Sequence, residues 1–161
     1  MSFSVSITGG DEGDVRAIAD AIAERLAARQ VPVEVLDPRT PGLDALAGDG
    51  LERRLAFVCG LLARHGVATI VAVPIADRRA RDGLRSALGR MIEVYVRPLG
   101  AGAPACEAPE RPEVELDAGG SVEPVLRTLE VLALLPRAGD RTYTEEEERE
   151  VIRRLKSFGY L

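Results

Sequence analysis

Short apolar runs alternate along this chain with longer segments whose apolar residues recur every three or four positions. Residues 3–7 (FSVSI) read as a short buried strand, broken by Thr8, Gly9 and Gly10. Over residues 14–29, Val15, Ile18, Ala19, Ile22 and Leu26 fall at helical spacing. Residues 31–36 (VPVEVL) form a second strand with Pro32 near its start, followed by a loop holding Pro38, Pro41 and Gly42. Residues 51–64 read as a helix stopped by Gly66. The run at 67–73 (VATIVAV) suits a central parallel strand covered on both faces. Beyond it the pattern predicts a charged, exposed helix at 77–88, a strand at 92–96, a Pro/Gly/Ala loop at 98–112, a strand at 114–116 and a helix at 122–134.

Strands alternating with helices give parallel strands joined by right-handed crossovers. The expected fold is α/β, a doubly wound parallel sheet in three α/β/α layers with a C-terminal helical tail. No internal repeat is visible. Ligands in such sheets sit beyond the carboxyl ends of the strands, so residues 8–14, the first strand-to-helix turn, are the first place to look. Two units are expected: the α/β domain over 1–135, and a linker with an amphipathic helix over 136–161. In that tail, Thr144 is a suitable N-cap and Glu145 to Glu148 place negative charge in the first turn. Val151, Ile152, Leu155 and Phe158 make an apolar stripe that packs on its own domain, on a twin subunit or on another protein.

Composition narrows the classes. The chain has 161 residues and a formal charge of −5, which argues against a general nucleic-acid surface. Aromatic residues make up only 4% and Trp is absent, so stacking platforms for bases are scarce. No apolar run reaches the roughly 18 residues of a membrane helix, and no leader is visible; a cytoplasmic protein is expected. Cys59 and Cys106 are expected to be free thiols. His65, before Gly66, suits the end of a helix, and one His with two distant Cys makes a poor zinc site. Neither a metal nor a cofactor is expected.

The glycine turn carries the candidate chemistry. A Walker A loop, GxxxxGK[ST], cradles phosphates with backbone N–H groups, neutralises them with its Lys and holds magnesium with its hydroxyl. Here the stretch from Gly9 through Gly10 and Gly13 to Ala17 has Val15 at the lysine position and Arg16 and Ala17 at the hydroxyl positions. Asp11, Glu12 and Asp14 add negative charge where a triphosphate would sit. Like charges about 4 Å apart cost on the order of 1 to 4 kcal/mol per pair, depending on screening. Two readings stand. The carboxylates cap the helix in place of a phosphate, or Arg16 substitutes in part for the lysine.

From residue 3 to residue 135 the chain resembles the adenylylsulfate (APS) kinases, P-loop enzymes that phosphorylate adenosine 5′-phosphosulfate to PAPS. Ile92-Glu93-Val94-Tyr95-Val96 with Pro98-Leu99 is similar to the family's "EVYV…PL". The helix beginning Arg53-Arg54 and running to Gly66 is similar to its "RR…V…G". Arg78 and Arg81-Asp82 resemble its "R..RD", and Ser121-Val122-Glu123 the start of its last helix. The departures from the family pattern concern function. "GLSGSGKST" lacks its Lys here. "LDGD" reads Leu36-Asp37-Pro38-Arg39, so Asp37 remains as a remnant and Arg39 reverses the second charge. Ala47, Gly48 and Leu51 stand in place of "DR..N", and Ile75-Ala76-Asp77 in place of "SPY". "RD.KGLY" and the lid after it are missing, with Cys106-Glu107 alone similar to the family's "CE". The tail is also similar to the acidic run and "RL..LGY" that end some sulfatases, a pattern too short to imply that activity.

The resemblance with these losses implies a non-catalytic, degenerate APS-kinase-like protein, a pseudokinase, acting as a structural, regulatory or partner-binding module. It would be linked to sulfate metabolism and act as a homodimer or through a protein partner engaged by the tail. Two alternatives stay open. One is a divergent enzyme or binder of an anionic sulfate or phosphate ester, with Arg39, Arg53, Arg54, Arg78 and Arg81 as anion-binding residues. The other is residual adenylylsulfate kinase activity, an ATP-dependent phosphotransfer.

Overall fold

The computed structural model describes residues 2–43, 48–99 and 106–136, with positions 149, 152 and 153. Five strands, β1 (Ser4–Gly9), β2 (Val33–Leu36), β3 (Ala68–Val71), β4 (Met91–Arg97) and β5 (Val114–Asp117), form one sheet in the order β2-β3-β1-β4-β5. Every pairing is parallel. The helices are α1 (Glu12–Ala28), α2 (Leu51–Arg64), α3 (Arg78–Leu88) and α4 (Glu123–Val131). This is the doubly wound α/β sheet that the alternating pattern predicts. The linker and helix read into 136–161 lie, but for the isolated positions named, outside the described residues.

The two faces of the sheet differ in chemistry. Val5, Ile7, Ile70, Ile92, Val94 and Val96 pack with Ile18, Ile22 and Leu26 of α1 and Val125, Leu126 and Leu129 of α4. The opposite face meets α2 and α3, where Leu36, Val71 and Met91 join Leu55, Cys59 and Leu84. On that side β1 presents Ser4, Ser6 and Thr8, all buried. The Ser4 and Thr69 hydroxyls, opposite each other in register, share a hydrogen bond of 2.7 Å. Cys59 and Cys106 are both free and buried. Burial raises the Cys59 thiol pKa, against the opposing pull of the Thr69 and Ser4 hydroxyls.

Element boundaries move for identifiable reasons. α1 starts at Glu12, two residues before its apolar period, because Asp11 caps it: the Asp14 N–H donates to Asp11 Oδ1 at 2.8 Å. Its C-terminus folds back, with Gln30 N–H on Ala27 O and Val31 N–H on Leu26 O. Val31 thus belongs to the helix end, Pro32 has no N–H, and β2 begins only at Val33. α4 ends three residues early by the same device, with Leu134 N–H on Leu129 O and Ala133 in a left-handed conformation at φ 54°.

The exposed helix expected at 77–88 needs a correction. α3 buries Leu84 completely and leaves Arg81 only 1% exposed. An arginine reads as surface in a composition of charges, but here it enters the core to meet a carboxylate on β4.

Candidate functional site at the carboxyl ends of the strands

Only Gly10 and Asp11 separate the end of β1 from the start of α1. Gly9, at φ 86°, lies so close to β4 that a Cβ there would stand 2.3 Å from Val96 O. Gly10, also at positive φ, turns the chain beside Val96 and Asp14. Gly13 is already inside the helix, where a Cβ would stand 3.2 Å from the capping Asp11 Oδ1. A Walker loop needs its GxxxxGK residues between strand and helix to wrap a phosphate. Here Glu12, Gly13 and Asp14 have joined the helix, and the carboxylate of Asp11 accepts the N–H that an anion would take. Of the two readings of the loop, this geometry is the self-capped one. Arg16 points its Nη2 at Glu12 Oε1, 2.7 Å away, one turn back. No hydroxyl occupies the position from which the motif holds magnesium.

Asp37 follows β2 and is 4% exposed. Its Oδ1 accepts the Arg39 N–H at 2.7 Å, and its Oδ2 accepts Arg39 Nε at 2.8 Å and also Nη2. The Arg39 guanidinium also lies 3.6 Å from Asp20 of α1. The Arg39 hydrogen bonds hold the Asp37 carboxyl below its ordinary pKa, against burial, and the nearby charge of Arg16 adds to the effect. Arg16, Arg39, Glu12, Asp20 and Asp37 therefore form one cluster of two cations and three carboxylates. Its positive charge is already matched from within the chain.

The other arginines go elsewhere. Arg81 donates Nε to Glu93 Oε1 of β4 at 3.1 Å, Nη1 to Ile75 O at 2.7 Å and Ala76 O at 3.2 Å, and Nη2 to Glu107 O. Arg78 pairs with Glu107 at 3.0 Å and with Glu110. Arg53 lies on α2 beside Arg79 of α3, with Glu52 and Asp77, along a groove of about 690 Å³. Arg54, its neighbour, is half-buried. The five arginines read as anion-binding thus do not converge on one site: Arg39 lies against Asp37, Arg53 in the α2–α3 groove, and Arg78 and the buried Arg81 meet at Glu107.

Sequence reasoning missed Glu93. A lone carboxylate in the run Met91-Ile92-Glu93-Val94 is the signal, since a buried acid between apolar strand residues requires a cation. The two segments that carry the resemblance at 78–82 and 92–96 touch through this pair. Burial works to raise the Glu113 pKa, but hydrogen bonds from Arg85 and the Glu93 N–H outweigh it and hold the carboxyl below its ordinary value. Among the described residues no group of three His, Cys, Asp or Glu side chains is placed to hold a metal ion. Among them, too, no helix is long and apolar enough to cross a membrane.

No family model matches the chain. The adenylyl-sulfate kinase of Gloeothece citriformis is 32% identical over 101 aligned positions, which cover 58% of this chain and 57% of that protein. The chain thus spans little more than half the length of that relative. A probable adenylyl-sulfate kinase of Pyrococcus abyssi is 27% identical across 99% of this chain and 98% of its own length. Among solved structures, the hexameric APS kinase from Thiobacillus denitrificans aligns with a TM-score of 0.66 and 25% identity, over 84% of this chain and 30% of that one. The Mycobacterium tuberculosis APS kinase Cys556Ala mutant shares the fold at a TM-score of 0.60 and 23% identity, over 84% of this chain and 99% of that one. The chain is therefore similar in sequence to adenylyl-sulfate kinases and has the P-loop kinase-like fold.

Proposed function

We propose that this protein is a non-catalytic relative of the APS kinases, a regulatory or partner-binding module of sulfate metabolism that works as a homo-oligomer or through a protein partner engaged by residues 136–161. The observation that carries the reading is the two-residue turn after β1. Its helix is capped by Asp11, whose carboxylate already takes the Asp14 N–H, and its lysine position is taken by Val15, so the cation that holds a triphosphate is lacking. The matched charges around Asp37 support it from the end of β2. Calorimetric titration with Mg-ATP is expected to give no binding heat, and a direct assay for PAPS formation no product. Micromolar Mg-ATP affinity overturns the reading.

A second reading rests on Arg53, which is exposed and makes no ion pair among the described residues. With Arg79 it offers two guanidinium groups to a sulfate or phosphate ester in the α2–α3 groove. On this reading, replacing Arg53 and Arg79 by Gln together lowers the affinity for such an ester at least tenfold by calorimetry. An affinity left unchanged removes it.

A further inference from the structure

Residues 107–113 (EAPERPE) run beside α3 and β4 before the chain enters β5, and no residue between Cys106 and Val114 is buried. Carboxylates recur at every third position, Glu107, Glu110 and Glu113, with Pro109 and Pro112 between them. α3 presents Arg78, Arg81 and Arg85 at the spacing of one helical face. The two sets meet. Arg78 takes Glu107 and Glu110, and Arg85 takes both oxygens of Glu113 at 2.5 and 2.9 Å. A cavity of about 340 Å³ lies beneath, lined in part by Asp82, Arg85, Glu93 and Glu110.

The fastenings are unequal. At one end, buried Arg81 grips the Glu107 carbonyl, and the Glu107 N–H donates to Ala76 O at 3.3 Å. At the other, Glu113 accepts the Glu93 N–H at 2.6 Å and leads directly into β5. The middle is held by the Arg78–Glu110 pair, whose carboxylate side chain is 74% exposed. An ion pair that exposed is weak and is screened by salt.

We propose that residues 107–113 are a strap fixed at both ends and latched at its centre by the Arg78–Glu110 ion pair, which opens over the cavity when that clasp is broken or screened. The inference stands apart from the functional reading above, since it requires no ligand. Backbone ¹⁵N relaxation on the full chain tests it, read at the Ala108, Glu110 and Arg111 amides. At low salt these are expected to be as ordered as β5. At about 1 M NaCl, a Debye length of about 3 Å, their order parameters fall below about 0.6. Glu110→Gln, which leaves the Arg78–Glu107 pair in place, produces the same fall at low salt, with β5 and α3 unchanged in both cases. Order retained under both perturbations overturns the proposal. So does a loop already disordered at low salt, or an α3 that loses order together with it.

Discussion

Arg81 gains its place through four acceptors, and removing it leaves Glu93, 6% exposed, with Arg85 at 3.3 Å as its remaining cation. Breaking a buried pair from one side typically costs about 3 to 5 kcal/mol. Arg81→Met is therefore expected to lower urea stability toward the lower end of that range, about 3 kcal/mol, because Arg85 still faces Glu93. Arg81→Met combined with Glu93→Leu loses less than the single change, because no buried charge is stranded, although the carbonyls of Ile75, Ala76 and Glu107 still lack their donor. Asp37 makes a second prediction. Its folded-state pKa is lowered, so its contribution to stability is full above the unfolded value of about 3.8 and disappears as pH falls through the folded value. Arg39→Gln is expected to move the carboxyl titration of Asp37, followed by NMR, to higher pH. The acid limb of the unfolding curve should shift the same way.

At the scale of elements, α1 and α4 both end on a residue other than glycine with positive φ, Gln30 at 59° and Ala133 at 54°. The left-handed conformation costs an L-residue roughly 1 to 2 kcal/mol, partly offset by the extra freedom glycine has in the unfolded chain. Ala133→Gly is expected to stabilise the protein by about 0.5 to 1 kcal/mol in thermal melts. Asp11→Ala removes the cap of α1 and costs about 0.5 to 2 kcal/mol, whereas Asp11→Asn, which keeps an acceptor, costs less.

These termini also mark where sequence reading stops. The apolar period places every helix and strand of the described domain, because each buries one face or both. It cannot see that Val31, apolar and next to a strand, closes the preceding helix. The glycines around Asp11 and Glu12 read as a turn over residues 8–14, and self-capping by a carboxylate, one of the two readings there, is the one found, carried by the Asp11 side chain on the Asp14 N–H. In α3, the charged composition hid one arginine whose partner lies twelve residues away on a strand.

For the molecule as a whole, the candidate site depended on pairings that no local pattern contains. Arg39 could be read as a free cation because Asp20, far from it in sequence (positions 20 and 39), reaches it only once α1 has packed on the sheet. The same reasoning predicts the outcome of repair. Val15→Lys with Arg16→Ser restores the two residue types of the phosphate motif, yet Mg-ATP binding measured by calorimetry is expected to remain absent. Helix α1 still begins at Glu12, and position 15 lies in its first turns with the acidic Glu12 and Asp14. Val15 also packs against the core, so the pair of changes is expected to lower the melting temperature.

The cap of α1 has a consequence for any solute that approaches it. Asp11 is joined to the helix it caps by the backbone itself, so its carboxylate competes intramolecularly. Tethers this short act at effective concentrations of about millimolar or more. A free phosphate or carboxylate must exceed that local presence before it occupies the same N–H, and dilution never removes the resident competitor. The end of the helix thus behaves as a receptor supplied with its own permanent antagonist.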